Sequence, residues 1–108
     1  MSPSDLPDNS PDRPASRAGA VTRVLKIVNE KGLHARASAK FVQTVEKFDA
    51  EVTVSRNGES AGGNSIMGLM MLAAGIGTSI AVTATGAQAR EVMDALDKLV
   101  ASRFGEDE

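Results

Sequence analysis

Between residues 21 and 104, the apolar residues change repeatedly between the alternation of a β-strand and the wider spacing of a helix, which limits the folds open to the chain. The pattern predicts the order β-α-β-β-α-β-α. The segments, in chain order, are a strand at 21–28, a helix at 35–47, a two-stranded hairpin beginning at 51–60, a helix at 65–75, a strand at 78–86 and a helix at 87–104. Because alternating strands need only one buried face, we expect an α+β fold with a four-stranded antiparallel sheet and three helices on one face.

The strand segments differ in how clearly they show which side faces the core. Residues 21–28 are rich in Val, Leu and Ile but ambiguous in period, and we expect Leu25 and Ile27 to point inward. In the hairpin, Asn57-Gly58 predicts a two-residue turn, and the return strand must be short because Gly62 and Gly63 follow. The inward positions predicted by alternation are Val52, Val54, Ile80, Val82 and Ala84.

The helical segments each carry an apolar side. We expect the short second helix to end at Gly75, since glycine commonly follows a helix. The predicted inward positions are Ala39, Val42 and Val45, flanked by Phe41 and Phe48, in the first helix, and Val92, Leu96, Leu99 and Val100 in the third.

The first 20 residues differ in kind from the rest, because they hold all four prolines together with Ser, Asp and Arg. A segment so poor in apolar residues cannot bury enough surface to offset its ordering entropy. We therefore expect a disordered extension at 1–20, a folded domain at 21–104 and an acidic C-terminal end at 105–108.

Composition excludes several classes of function. Without cysteine there are no disulfides, thiolate metal sites or thiol nucleophiles. No apolar run approaches the roughly 18 residues of a membrane span, and the N-terminus does not resemble a signal peptide, so we expect a cytoplasmic protein with no membrane partner. A net charge of -2 and only three aromatic residues argue against a nucleic-acid partner.

The only histidine of the chain, His34, lies at the junction of the first strand and the first helix, directly after Gly32 and Leu33. This is an N-cap or first-turn position, where histidine is not a favoured residue. Helix N-termini offer unpaired N–H groups and a positive dipole end, which suit phosphate, and Arg36 can add a guanidinium. The combination suits a phosphorylated imidazole. An ordinary surface or packing role for His34 is the simpler alternative.

Other site chemistries find less support in the sequence. A metal site needs several ligands, and the chain has neither cysteine nor a second histidine. There is no phosphate-binding G-x-x-x-x-G-K-[ST] loop, and nothing resembles a nucleophile elbow. We expect neither a metal nor a bound cofactor.

A second candidate region begins at Ser65, which is a good N-cap residue for the second helix. Capping alone explains this serine. The helix that follows is apolar nearly all round, and a small open-faced domain cannot bury every side of it. Exposed methionines suit surfaces that must fit several partners, although burial of all of them is the alternative interpretation. The residues concerned are Ile66, Met67 and Met70.

GLHARASAKFVQ at 32–43 and NSIMGLMML at 64–72 together resemble the HPr family, the histidine-containing phosphocarrier proteins of the bacterial phosphotransferase system. The resemblance covers residues 21–104 and includes the Asn-Gly hairpin and the element order. It implies an open-faced β-sandwich of four strands and three helices. Ala37-Ser38 replaces the Pro-Ala usual in the family, which is similar to regulatory, nitrogen-linked variants of some proteobacteria. The proline-rich extension has no counterpart in the family.

The resemblance also implies roles for particular residues. His34 matches the histidine phosphorylated on Nδ1, and Arg36 matches the arginine that assists transfer. Ser65 matches the regulatory serine that an HPr kinase/phosphorylase modifies in many members. The docking patch for Enzyme I corresponds to Ile66, Met67 and Met70. Such a protein takes phosphoryl from Enzyme I and passes it to an EIIA-type protein. It works as a monomeric carrier rather than an enzyme.

A second class of function remains open at this point. HPr-like regulators bind partners without carrying phosphate on histidine, although the presence of both His34 and Arg36 argues against this alternative. An unrelated enzyme on a similar sandwich is a third alternative.

Overall fold

A computed structural model describes residues 20–106, so the predicted extension, except for Ala20, lies outside the described residues. The elements follow the predicted order. They are β1 (Val21–Lys26), α1 (Ala35–Val45), β2 (Glu51–Arg56), β3 (Glu59–Gly62), α2 (Ile66–Met71), β4 (Ser79–Thr85) and α3 (Ala89–Ala101), followed by a 3₁₀ turn at Arg103–Gly105.

The four strands form one antiparallel sheet in the order β1-β4-β2-β3. β4 and β2 are the inner strands, and β4 pairs Ile80 with Leu25 of β1 and Val82 with Val54 of β2. The predicted turn is confirmed, because Asn57 and Gly58 have φ angles of 53° and 82°, as a type I′ hairpin requires. β3 is short, as expected.

The helices cover one face of the sheet, and the core lies between the two layers. The predicted inward strand positions are all buried: Leu25, Ile27, Val52, Val54, Ile80, Val82 and Ala84. On the other face, Val24 is 67% exposed. α3 packs on β1 and β4, α1 packs on α2 and α3, and α2 contacts β3. The predicted α+β fold, with three helices on one face of a four-stranded antiparallel sheet, is confirmed.

The buried face of α1 is rotated from the predicted one. Val42 and Val45 are buried as expected, but Ala39 is only half-buried, and Phe41 lies at the centre of the buried face instead of beside it. The Phe41 ring is fully buried, and this orientation also turns Ala37 inward. A similar adjustment occurs in α3, where the predicted inward residue Leu99 is half-buried.

Ser38 is a polar residue on the buried face of α1. Its hydroxyl donates a hydrogen bond to the carbonyl oxygen of Leu33 at 3.1 Å. A buried hydroxyl that is hydrogen-bonded avoids most of its desolvation cost, so the position tolerates serine.

The prediction that the second helix ends at Gly75 is wrong. α2 ends at Met71, and Ala73 adopts a φ of 55°, which turns the chain away from the helix. The amide of Ala73 donates to the carbonyl of Met70 at 3.0 Å, so the last turn is tightened. Beyond the helix, the carbonyl of Ala74 accepts the amide of Leu33 in the loop before α1. The left-handed turn at Ala73 therefore ends the helix earlier than the glycine predicts, and the tertiary hydrogen bond holds the chain that follows.

Candidate functional site

The loop before α1 is held in place by a close backbone contact at Gly32. This residue has a φ of +65°, and a Cβ added to it would lie 2.3 Å from the carbonyl oxygen of Ala74. The amide of Leu33 donates to the same oxygen at 2.9 Å. Only glycine combines this backbone angle with this approach. The contact fixes the chain immediately before His34.

His34 is the N-cap residue of α1, as the sequence predicted. Its backbone is extended, with φ of -74° and ψ of -178°, and its carbonyl oxygen accepts the amide of Ser38 at 2.8 Å. Its ring nitrogen Nδ1 accepts a hydrogen bond from the backbone amide of Arg36 at 3.3 Å. The His34 side chain thus caps the helix, and Nδ1 faces the N–H groups at the start of the helix.

The other ring nitrogen of His34 contacts the carboxylate of Glu106, a residue 72 positions away in the sequence. Nε2 and Oε2 are 2.6 Å apart, and the second carboxylate oxygen accepts the side-chain amide of Asn29 at 3.1 Å. The side chain of His34 is 28% exposed and that of Glu106 is 16% exposed. Asn29 is fully buried and also donates to the carbonyl of Gly32 at 2.9 Å, which ties Glu106 to the loop that carries His34.

The surroundings of Glu106 favour its ionised form. The hydrogen bond with His34 lowers the pKa of the Glu106 carboxyl, and the hydrogen bond from Asn29, the charge of Lys31 and, when its ring is protonated, the charge of His34 act in the same direction. Partial burial opposes them, but the pKa remains below the ordinary value of 4.5. Glu106 is therefore a carboxylate at neutral pH.

The two contacts of the His34 ring select one neutral tautomer. A backbone amide can only donate, so Nδ1 must be the acceptor and carry a free electron pair. Nε2 then bears the hydrogen and donates it to the Glu106 carboxylate. The ring nitrogen with the available electron pair is therefore the one that faces the helix N-terminus.

Cationic side chains surround the loop and helix start that carry His34, which we call the histidine corner. A depression of about 700 Å³ is bordered by His34, Glu106 and the side chains of Lys31, Arg36 and Lys40. Arg36 is exposed, whereas Lys40 is half-buried and its Nζ donates to the carbonyl oxygen of Phe104 at 2.6 Å. Three cations and one carboxylate leave the depression with positive charge, which favours an anion beside the imidazole.

Ser65 is the N-cap residue of α2, as predicted. Its hydroxyl oxygen accepts the amide of Gly68 at 3.0 Å, and the side chain is half-buried. A Cβ added at Gly68 would meet this oxygen at 3.0 Å, so the glycine leaves room for the serine side chain. The capping contact accounts for the serine in structural terms.

The apolar side of α2 that points away from the core is exposed. Ile66 is 41% exposed, Met67 68% and Met70 39%, whereas Leu69 is fully buried. Met70 borders a second, smaller depression together with His34, so the methionine surface reaches the histidine. Met71, which the sequence did not single out, lies next to Met70 on α2 and is 72% exposed.

Sequence reasoning found His34 and Arg36 but missed the contacts that come from elsewhere in the chain. Glu106, Asn29, Lys31 and Lys40 were not predicted as site residues. The acidic end at 105–108 was a visible signal, but nothing in the sequence places it beside the histidine. Asn29 carried a weaker signal, because an asparagine that follows a strand directly is often used in a turn.

Two further findings concern residues 20–106. They contain no group of three or more His, Cys, Asp or Glu side chains placed to hold a metal ion. None of their helices has the length and apolar character needed to cross a membrane.

The fold and the histidine corner define a class, the small open-faced β-sandwiches of HPr type. The solved structure of HPr-C-His from Thermoanaerobacter tengcongensis matches with a TM-score of 0.78 and 36% identity, over 82% of this chain and 99% of that chain.

The chain belongs to the HPr family, the phosphocarrier proteins of the phosphotransferase system. The family model described as the PTS HPr component phosphorylation site matches residues 21–102. The phosphocarrier protein HPr of Cupriavidus necator is 52% identical over 82 residues, which are 76% of this chain and 92% of that protein. The phosphocarrier protein NPr of Shewanella violacea is 38% identical over 84 residues, or 78% of this chain and 92% of that protein. The resemblance stated from the motifs is thereby confirmed.

Proposed function

We propose that His34 carries a phosphoryl group on Nδ1, accepted from Enzyme I that phosphoenolpyruvate has charged and passed on to a histidine of an EIIA-type protein. The observation that supports this most directly is the state of the ring. Nδ1 is unprotonated, belongs to a partly exposed side chain, and faces the N-terminus of an 11-residue helix. Membership of the HPr family supports the same function.

The transfer step follows from this geometry. The electron pair of Nδ1 attacks the phosphorus, the bond from phosphorus to the donor group breaks, and its electron pair returns to the donor. The Arg36 amide, which Nδ1 holds at 3.3 Å in the unmodified protein, is then free to donate to a phosphoryl oxygen. The guanidinium of Arg36 adds a charge-assisted contact to the same group. Transfer to the EIIA-type protein is the reverse reaction toward a different acceptor.

The partner supplies most of what an enzyme active site would contain. The depression at His34 is open to solvent, and the exposed apolar residues Ile66, Met67 and Met70 lie on the helix next to it. We assign these three residues to the docking of Enzyme I and the EIIA-type protein, where methionine can fit more than one surface. Because the carrier is modified and regenerated in each cycle, it acts as a relay and not as a catalyst.

Ser65 is proposed as a regulatory phosphorylation site for an HPr kinase/phosphorylase. Its oxygen already accepts the Gly68 amide, so a phosphate there remains compatible with the start of α2. The phosphate adds about two negative charges next to Ile66 and Met67. Docking of an acidic Enzyme I surface should therefore weaken.

The physiological role that we propose is regulatory and linked to nitrogen metabolism, with sugar transport or its regulation as the alternative. The similarity to the NPr protein of Shewanella violacea supports it, and so does Ala37-Ser38 at the start of α1. A monomeric, cytoplasmic carrier fits this role.

The test is phosphoenolpyruvate-dependent labelling by Enzyme I of the wild type and the His34→Ala variant, with Arg90→Ala as a control that changes an exposed arginine on α3. We expect acid-labile label on the wild type and on the control, and none on the histidine variant. Phosphohistidine is lost in acid, whereas phosphoserine survives, so the chemistry of the label separates His34 from Ser65.

Two outcomes would contradict the proposal. The wild type could take no label from an Enzyme I that labels another HPr protein, or acid-labile label could persist after His34 is removed. In the first case the chain is better understood as an HPr-like regulatory binding module that acts without histidine phosphotransfer.

A further inference from the structure

The contact between Glu106 and His34 is made by a short segment at 103–106, which we call the C-terminal strap. Arg103, Phe104 and Gly105 have φ angles of 61°, 56° and 75°, so three successive residues are left-handed. Residues other than glycine seldom adopt this region, and two in succession need support from their surroundings. The strap is therefore a specifically held turn rather than a loose continuation of α3.

Three contacts supply that support. The Phe104 ring is fully buried in the core. The carbonyl of Phe104 accepts Lys40 Nζ at 2.6 Å, which joins the strap to α1. The amide of Glu106 donates to the carbonyl of Arg103 at 2.9 Å, which closes the turn. Together they bring a carboxylate from the far end of the domain to 2.6 Å from the histidine ring.

We propose that Glu106 is a positioning residue for phosphoryl transfer: by accepting the Nε2 hydrogen of His34, it keeps the electron pair on Nδ1 and stabilises the positive charge that the ring gains when Nδ1 binds phosphorus. This inference rests on the proposed function of His34. When Nδ1 forms its bond to phosphorus, the ring keeps its Nε2 hydrogen and becomes a phosphoimidazolium, while the donor departs with the electron pair of the broken bond. The carboxylate then interacts with a cation instead of a neutral ring, so the contact strengthens as the reaction proceeds.

The same carboxylate also repels the incoming phosphoryl group, and distance decides which effect is larger. Glu106 lies 2.6 Å from Nε2, whereas the phosphoryl group arrives at the nitrogen on the other side of the ring. Coulomb interactions weaken with separation, so the attraction acts over the shorter distance and the repulsion over the longer one. Lys31, Arg36 and Lys40 border the same depression and offset the repulsion further.

The experiment uses phosphoramidate as a small phosphoryl donor, so that no protein partner takes part. The rate at which the full chain accepts phosphoryl is compared among the wild type, Glu106→Gln, Glu106→Ala and His34→Ala. Glu59→Gln is the control, because it removes one negative charge from an exposed position on β3. The His34 ring is also labelled with ¹⁵N, so that NMR reports which ring nitrogen carries hydrogen and which carries phosphorus.

We expect both Glu106 variants to accept phosphoryl about tenfold more slowly, the loss expected for one hydrogen bond to a charged group, while Glu59→Gln matches the wild type. In the wild type the Nε2 hydrogen should be slow to exchange with water, and it should exchange faster in both variants. Glu106→Gln keeps the size of the side chain, so a purely structural role would leave its rate unchanged.

The results separate this inference from the proposed function. If Glu106→Gln and Glu106→Ala accept phosphoryl as fast as the wild type or faster, Glu106 is not a positioning residue, whereas the absence of label on His34→Ala still supports the carrier. If His34→Ala takes acid-labile label like the wild type, the proposed function and this inference fail together.

Discussion

Replacement of Gly32 by alanine tests whether a single backbone contact holds the histidine corner. An alanine with a φ of +65° costs about 1–2 kcal/mol relative to glycine. Its Cβ would lie 2.3 Å from the Ala74 oxygen and 2.8 Å from the Gly75 Cα, so the backbone must move. That movement costs about 1–3 kcal/mol in strain and about 1 kcal/mol for the hydrogen bond between Leu33 and Ala74. We expect Gly32→Ala to lower the free energy of unfolding by about 3–6 kcal/mol, much of the stability of an ordinary domain.

Gly58→Ala is the matched control. Gly58 has a φ of +82°, but a Cβ added there meets nothing within 4 Å, so this variant pays only the conformational cost of about 1–2 kcal/mol. Because the chain has neither Trp nor Tyr, unfolding in urea is best followed by far-ultraviolet circular dichroism, and the free energies are compared at equal slope. If the two variants differ by less than about 1 kcal/mol, the contact between Gly32 and Ala74 does not hold the corner as we argue.

Two further predictions concern the charges around the site. Because folding lowers the pKa of Glu106, the unfolded chain binds more protons than the folded chain at acidic pH. The carboxylate therefore stabilises the fold fully at pH values above its ordinary pKa of 4.5. This stabilisation is lost as the pH falls through the lower pKa of the folded state. Urea unfolding from pH 7 to pH 3 should show the wild type more stable than Glu106→Gln near neutrality, with the difference disappearing in acid; a constant difference would contradict the linkage. Ser65→Asp should slow phosphoryl acceptance from Enzyme I but leave acceptance from phosphoramidate unchanged, because the added charge acts on docking and not on the imidazole. Ser79→Asp, at an exposed position on β4, is its control, and equal rates from Enzyme I for Ser65→Asp and the wild type would remove the basis for the proposed switch.

The parts of the fold that depend on residues close together in the sequence could be predicted from the sequence. Alternation placed Val52 and Val54 in the core, and Asn57-Gly58 fixed the hairpin, because period and turn geometry are local properties. The buried face of α1 was predicted less well. The large Phe41 ring, rather than the average direction of all apolar positions, decides which side of the helix is buried most deeply. The predicted end of α2 was wrong for a related reason, because the chain after the helix is held by a hydrogen bond between Ala74 and a loop distant in sequence.

The same distinction separates the two halves of the histidine site. His34 and Arg36 are neighbours in sequence, so a glycine-preceded helix start was enough to bring them to attention. Glu106 reaches His34 only because Phe104 is buried and Lys40 holds the turn, and neither contact leaves a periodic signal. Long-range contacts between polar side chains are the part of a site that pattern reasoning reaches least.

The strand order β1-β4-β2-β3 also has a consequence for how the chain folds. β4 lies between β1 and β2, so Val21 pairs with Ala84 and Glu51 pairs with Thr85. Of the three strand pairings, only the β2–β3 hairpin joins segments adjacent in sequence. The other two pairings join strands that are far apart in sequence, so a long stretch of chain must be closed into a loop before either can form. Sheets that depend on such distant pairings fold slowly, on a timescale of about milliseconds to seconds. During synthesis, β1 must wait for almost the whole domain before it gains a partner, and the carboxylate reaches the histidine only after the last helix has packed. We therefore expect a nascent chain to acquire its complete site late in folding.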